Sequence, residues 1–179
     1  MKVLFLTLSK AISDISNKGI YPDLLRKFVR EGHDVYIVCP FERRSKMNSS
    51  LSVDNKVHIL GVKTLNITKS NMIEKGIGMI FLEYQYKYAI RKYLSGINFD
   101  LLMYSTPPIT FNKVIDYIKK GNTLISYLLL KDIFPQNAID LHIISKYNPI
   151  FWFFKTRKRN FIEFLIILVV CRKPISIIY

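Results

Sequence analysis

Residues 21–40 read YPDLLRKFVREGHDVYIVCP, and the fold class turns on them. Leu24, Leu25, Phe28 and Val29 recur at the spacing that places side chains along one stripe of a helix. Pro22 suits the first helical turn, where its missing N–H is no loss. Gly32 stands where a helix C-terminus needs a residue with positive φ. The run DVYIVCP that follows, closed by Pro40, reads as a strand. Upstream, KVLFLTL (residues 2–8) is a second apolar run of strand formers, leading into the polar loop SKAISDISNKG (residues 9–19). Strand, helix and strand at this spacing form a βαβ unit, which implies a parallel sheet with right-handed crossovers.

Working outward, RRSKMNSSLSVDN (residues 43–55) reads as a Ser/Asn-rich loop and KVHILGVKT (residues 56–64) as a further strand. A long helix is expected from Ile73 to Leu94, with Ile77, Ile80, Phe81, Tyr84, Tyr88 and Leu94 near one core-facing stripe. FDLLMYS (residues 99–105) is the next strand, broken at Pro107–Pro108, and ITFNKVIDYIKK (residues 109–120) the next helix. TLISYLLLKD (residues 123–132) is almost wholly apolar, as expected of a strand at the centre of a doubly covered parallel sheet. The expected fold is α/β: a Rossmann-like parallel sheet with helices on both faces.

Composition narrows the chemistry. The 179 residues include 27 Lys plus Arg against 13 Asp plus Glu, a formal charge of +14, and half of the chain is hydrophobic. Such a surface favours polyanions, whether nucleic acid, an anionic leaflet or phosphorylated small molecules, although a lysine-rich solvated surface looks the same. Cys39 and Cys171 offer no disulfide framework, and His33, His58 and His142 fall in no metal-binding pattern. These features suit a reduced, cytoplasmic protein without a metal. The opening MKVLFLTLSKA has too short an apolar core and no cleavage site for a signal peptide.

The loop after the first strand holds one glycine, Gly19, rather than the G-x-G-x-x-G of dinucleotide binders, and no P-loop pattern occurs. In open α/β sheets ligands bind beyond the carboxyl ends of the strands. Those ends carry SDISNKG, STPPIT (residues 105–110) and KDIFPQN (residues 131–137). Asn17, Lys18 and Gly19, just before a helix, offer amides and positive charge to a phosphate, although a plain solvated loop would read alike.

Together, KVLFLTL with its loop ending in Gly19, REGHDVYIVCP, FDLLMYSTPPITF and YLLLKDIFPQNAIDL resemble the N-terminal domain of GT-B glycosyltransferases. The likeness is to the retaining family four of bacterial O-antigen and capsule synthesis, notably its fucosaminyltransferase-like members. It runs from Met1 to about Phe154, and STPPIT with LLKDIFPQNAIDL is its most specific part.

The resemblance implies two Rossmann-like domains across a cleft, with no cofactor. The C-terminal domain would bind a nucleotide-sugar donor and hold a pair of glutamates, and residues 1–154 would mostly bind a lipid-diphosphate-linked glycan acceptor. Asn17, Lys18 and Gly19 would lie near the donor diphosphate. Asp132 would orient the acceptor hydroxyl or steady positive charge on the sugar, or else N-cap the following helix. Thr106, Pro107 and Pro108 would shape the acceptor wall, the prolines otherwise simply ending a strand. Lys131 would meet an acceptor phosphate or remain solvated.

Residues 155–179 depart from that family. A basic run, KTRKRN (residues 155–160), precedes an apolar stretch, Phe161–Val170, interrupted by Glu163. That stretch is half the ~20 residues a membrane-spanning helix needs. Codons compatible with each residue from Phe161 onward, read in a shifted frame, restore an amphipathic lead-in, a strand and a helix start in the family's style. The tail is therefore expected to follow a frameshift near Lys155. The chain is then a truncated transferase without activity of its own.

Two other functions are open to such a chain. One is a small peripheral membrane protein, at the inner face of the plasma membrane, using its basic aromatic surface. The other is a nucleic-acid binder, although no helix-turn-helix, RNP-like or zinc-finger pattern is present, so sequence-specific recognition is not expected.

Overall fold

The computed structural model describes residues 1–105, 111–120 and 124–129. Strand β1 (Lys2–Leu6) leads through the loop and helix α1 (Ile20–Arg30) to β2 (Asp34–Glu42). A hairpin of β3 (Ser50–Asp54) and β4 (Val57–Thr64) follows, then α2 (Met72–Tyr93), β5 (Leu101–Ser105), α3 (Asn112–Lys119) and β6 (Ile125–Leu129). The strands lie in the order β3-β4-β2-β1-β5-β6, and every pairing is parallel except that of β3 with β4. This is an α/β, Rossmann-like sheet.

Handedness distributes the helices. The step from β1 to β2 runs one way along the sheet, and the steps from β4 to β5 and from β5 to β6 run the other way. Right-handed crossovers therefore put α1 on one face and α2 with α3 on the opposite face. Side-chain alternation agrees. Val3, Phe5, Val35, Ile37 and Met103 form a core with Leu25 of α1, packed by Leu24, Phe28 and Val29. Leu4, Leu6, Val38, Leu60 and Leu102 alternate with them and are fully buried. Each such side chain contributes about 1.5–3 kcal/mol by leaving water. As expected, Gly32 follows the C-cap of α1, and its φ of 85° lets the His33 amide return to the Phe28 carbonyl at 3.0 Å.

Four expectations are corrected. Residues 50–54 are an edge strand, not part of a loop. Asn55 takes a φ of 54°, so Asn55 and Lys56 make a two-residue hairpin turn that pairs Asp54 with Val57. Secondly, β2 continues through Pro40 to Glu42. The Val38 carbonyl, on the β1 side, accepts from Thr7 at 3.1 Å, and β1 itself ends at Leu6. Two residues further along, Pro40 turns its missing N–H to the same side, where no β1 ladder bond is due.

Thirdly, β6 is the last strand of the sheet among the described residues, and its Ile125 and Tyr127 are exposed while Leu129 packs against the core on the α1 side. Lastly, α2 is turned the other way round. Leu82, Tyr86, Ala89 and Ile90 are buried, while Ile77, Ile80, Phe81, Tyr84 and Tyr88 face solvent and only Leu94 of the expected stripe is buried. Gly78 sets this orientation. A Cβ there would stand 2.8 Å from the Asn66 carbonyl oxygen, so the glycine side approaches the β4–α2 loop and the bulky side cannot.

Candidate functional site

Strand order reverses at β1, which is joined forward to β2 on one side and flanked by β5 on the other. The crevice beyond the carboxyl ends of β1 and β5 is thus the switch point where open α/β sheets take ligands. The chain leaves β1 at Thr7, which is buried, and whose hydroxyl oxygen accepts from the Ser9 amide at 3.0 Å. The Tyr86 hydroxyl donates to the Thr7 carbonyl at 2.7 Å, and its ring packs on Phe111. Complete burial raises the Tyr86 pKa well above the ordinary range, so this hydroxyl stays a donor.

The loop that follows is closed by its own polar groups. Ile12 is driven into the core, and the Asp14 carboxylate accepts from the Ser16 amide at 2.8 Å. The Ser16 contacts hold the Asp14 pKa below its usual value. Asn17 donates to the Ala11 carbonyl at 3.2 Å. Arg26, one and a half turns into α1, donates to the carbonyls of Ile15 and Asn17 and pairs with Asp23. The expected phosphate loop is therefore clamped from the helix behind it, by a residue that nothing in the local sequence marks.

Gly19 is the N-cap of α1, at φ 154° and ψ 159°, and has no side chain with which to cap the helix. That φ is one that L side chains rarely adopt, so the position favours glycine. Pro22 has no N–H, and the Asp23 amide bonds the Gly19 carbonyl at 2.9 Å. The amides of Ile20 and Tyr21 thus stand at the positive end of the helix without a side-chain cap. Asn17 and Lys18 beside them are exposed.

Beyond β2 and β4 lies a polar network that the sequence reading missed. Buried Glu42 accepts from the Thr68 amide at 3.1 Å and the Thr68 hydroxyl at 2.6 Å, and pairs with Arg44. Arg44 also donates to the Thr68 carbonyl, and the Asn66 amide group donates to Glu74 at 2.7 Å. The Asn71 side chain accepts from the Glu74 amide at 2.7 Å, the first half of a capping box. The Asn71-x-x-Glu74 spacing was its one legible signal. These carboxylates are committed to holding the two loops together, which leaves none of them as a general base.

Lys10, Lys18, Arg43 and Lys46 stand exposed along this same carboxyl edge. The Lys10 ammonium lies 5.6 Å from the centre of the Phe41 ring, tying the loop after β1 to the end of β2. The buried Cys39 thiol is pushed up to about 12 by desolvation, which rules it out as a nucleophile. Among the described residues no His, Cys, Asp or Glu cluster could hold a metal ion. Thr106, Pro107, Pro108, Lys131, Asp132 and the expected boundary at residues 154–155 lie outside the described residues. The strand ends that lead to them, Ser105 of β5 and Leu129 of β6, are paired with each other.

No family model matches the chain, and no curated protein matches it in sequence.

Proposed function

We propose that this chain is the acceptor-side, Rossmann-like part of a retaining GT-B glycosyltransferase of bacterial surface polysaccharide synthesis. One observation carries the reading. Three of the four segments that bear the resemblance hold β1, β5 and β6 with the loops that follow them, and these strands are adjacent and parallel. Strand ends separated by up to about 120 residues of chain therefore lie along one edge of the sheet, as a shared site requires. The uncapped amides of α1 and the cations Lys10 and Lys18 supply positive potential there for a diphosphate.

In this reading the nucleotide-sugar diphosphate lies over Asn17, Lys18 and Gly19. The lipid-linked acceptor lies along Thr106, Pro107 and Pro108, with Lys131 at its phosphate and Asp132 at the attacking hydroxyl. No metal and no other cofactor takes part. The test is titration of the full chain with a short-chain prenyl-diphosphate-linked N-acetylhexosamine. Binding is expected, with about a tenfold loss in Lys131→Ala, the scale of one charge-assisted contact, and little change in Lys27→Ala, at the far end of α1. Equal binding of the free prenyl alcohol, or no binding at all, would overturn the assignment.

A further inference from the structure

The solvent face of α2 is apolar where a surface helix is ordinarily polar. Ile77, Phe81, Tyr84 and Tyr88 run along it with Ile80 beside them, from 46% exposed at Ile77 to 69% at Tyr84 and Tyr88. We infer that this face seats the chain on an anionic lipid bilayer, with α2 lying in the plane of the headgroups.

The charges around the stripe select that occupant. Lys87, Arg91 and Lys92 are exposed towards the C-terminal end of the helix. The Lys113 ammonium of α3 lies 5.9 Å from the Tyr84 ring centre, and that of Lys87 lies 5.3 Å from Tyr117. Of the acidic groups on these helices, Glu83 is buried and accepts from the Lys113 amide at 3.1 Å, and Glu74 is bonded to Asn66. Only Asp116 is both acidic and exposed. Through Lys120 the two helices hold seven basic and three acidic residues, a net charge of +4.

A second copy placed on this face would set lysines against lysines. An anionic leaflet instead offers each group its partner. Ile and Phe enter the acyl boundary, Tyr rings sit at the headgroups, and Lys and Arg reach the phosphates. No helix among the described residues is long and apolar enough to cross a membrane. The inference does not rest on sugar transfer, and binding to lipid and binding to an acceptor can fail separately.

Flotation of the full chain with phosphatidylglycerol-containing vesicles, and with pure phosphatidylcholine vesicles, tests it. Binding to the anionic vesicles is expected to exceed that to the neutral ones by about tenfold or more. Phe81→Asp with Tyr84→Asp should abolish it, and Lys87→Glu with Arg91→Glu should cut it about tenfold. Lys27→Glu with Arg30→Glu, the same charge change on α1, should retain most of it. Circular dichroism checks that each variant folds. A Phe81→Trp variant should show blue-shifted emission on anionic vesicles, read as the difference from the wild-type chain. The proposal falls if neutral vesicles bind equally, if the α1 pair loses as much as the α2 pair, or if the Trp emission stays unshifted. It also falls if sedimentation shows a dimer that the Asp variants dissociate while vesicles are ignored.

Discussion

Helices α1 and α2 cover opposite faces of one sheet, and each buries a comparable aliphatic stripe, yet their outer surfaces differ completely. On α1 the outside carries Asp23 paired with Arg26 and Lys27 paired with Glu31. On α2 it carries Ile77, Ile80, Phe81, Tyr84 and Tyr88, with cations around them. Water alone is a sufficient environment for the first surface. The second leaves several large side chains in water, which folding by itself does not require. The difference lies in what each helix meets beyond the sheet.

Neighbouring residues on α2 give the sharpest way to break this contrast. Leu82→Ala, at a fully buried position, is expected to cost about 2–5 kcal/mol in a urea melt. Phe81→Ala, a larger truncation one residue away, should stay within about 0.5 kcal/mol. Equal losses would mean that the outer face of α2 is covered within the folded chain. Next in size is Gly78→Val. Its Cβ would lie 2.8 Å from a backbone oxygen, so α2 must lift, at about 1–3 kcal/mol. Gly76→Ala is the counterpart in open space and should stabilise by roughly 0.5–1 kcal/mol.

Tyr86→Phe removes the hydroxyl that ties α2 to the loop after β1. Thermal melts should show a loss of about 1 kcal/mol, with the ring packing on Phe111 kept. The smallest effect concerns the α2 side of the sheet at its amino end, where His58 stacks on Tyr36 at 4.1 Å. Burial lowers the His58 pKa, so the folded state disfavours its protonation. Stability is then complete above the unfolded value of about 6.5 and declines as the pH falls below it. Comparing urea midpoints near pH 5 and pH 8 should show this slope shrinking in His58→Gln. An unchanged slope would assign it to other groups.

The same contrast explains what was legible. In α1 the polar residues Asp23, Arg26, Lys27 and Arg30 leave only one side for the core, so Leu24, Leu25, Phe28 and Val29 had to face the sheet. In α2 both sides carry apolar residues at helical spacing, and periodicity cannot rank them. The deciding fact is steric: Gly78 and Ala89 lie on the side that must come close, and a pattern search weighs bulk, not its absence. Likewise, Ser50–Asp54 is too polar to announce a strand, because β3 is exposed apart from the half-buried Leu51. At the site, the glycine before α1 and the parallel sheet were readable, but the order of its strands was not. The Arg26 clamp and the Glu42–Arg44–Thr68 network were not, since each joins residues through the fold rather than along the chain.

The position of β1 also sets a timetable. Its pairing with β2 joins residues 32 apart, as in Lys2 with Asp34, whereas its pairing with β5 joins residues 98 apart, as in Val3 with Leu101. At roughly 5–20 residues per second a ribosome needs about 5–20 s to span the longer gap. The first strand synthesised therefore waits for its second neighbour with one edge of unpaired N–H and C=O groups bare. A nascent chain of this design depends on that edge being shielded until Leu101–Ser105 emerges.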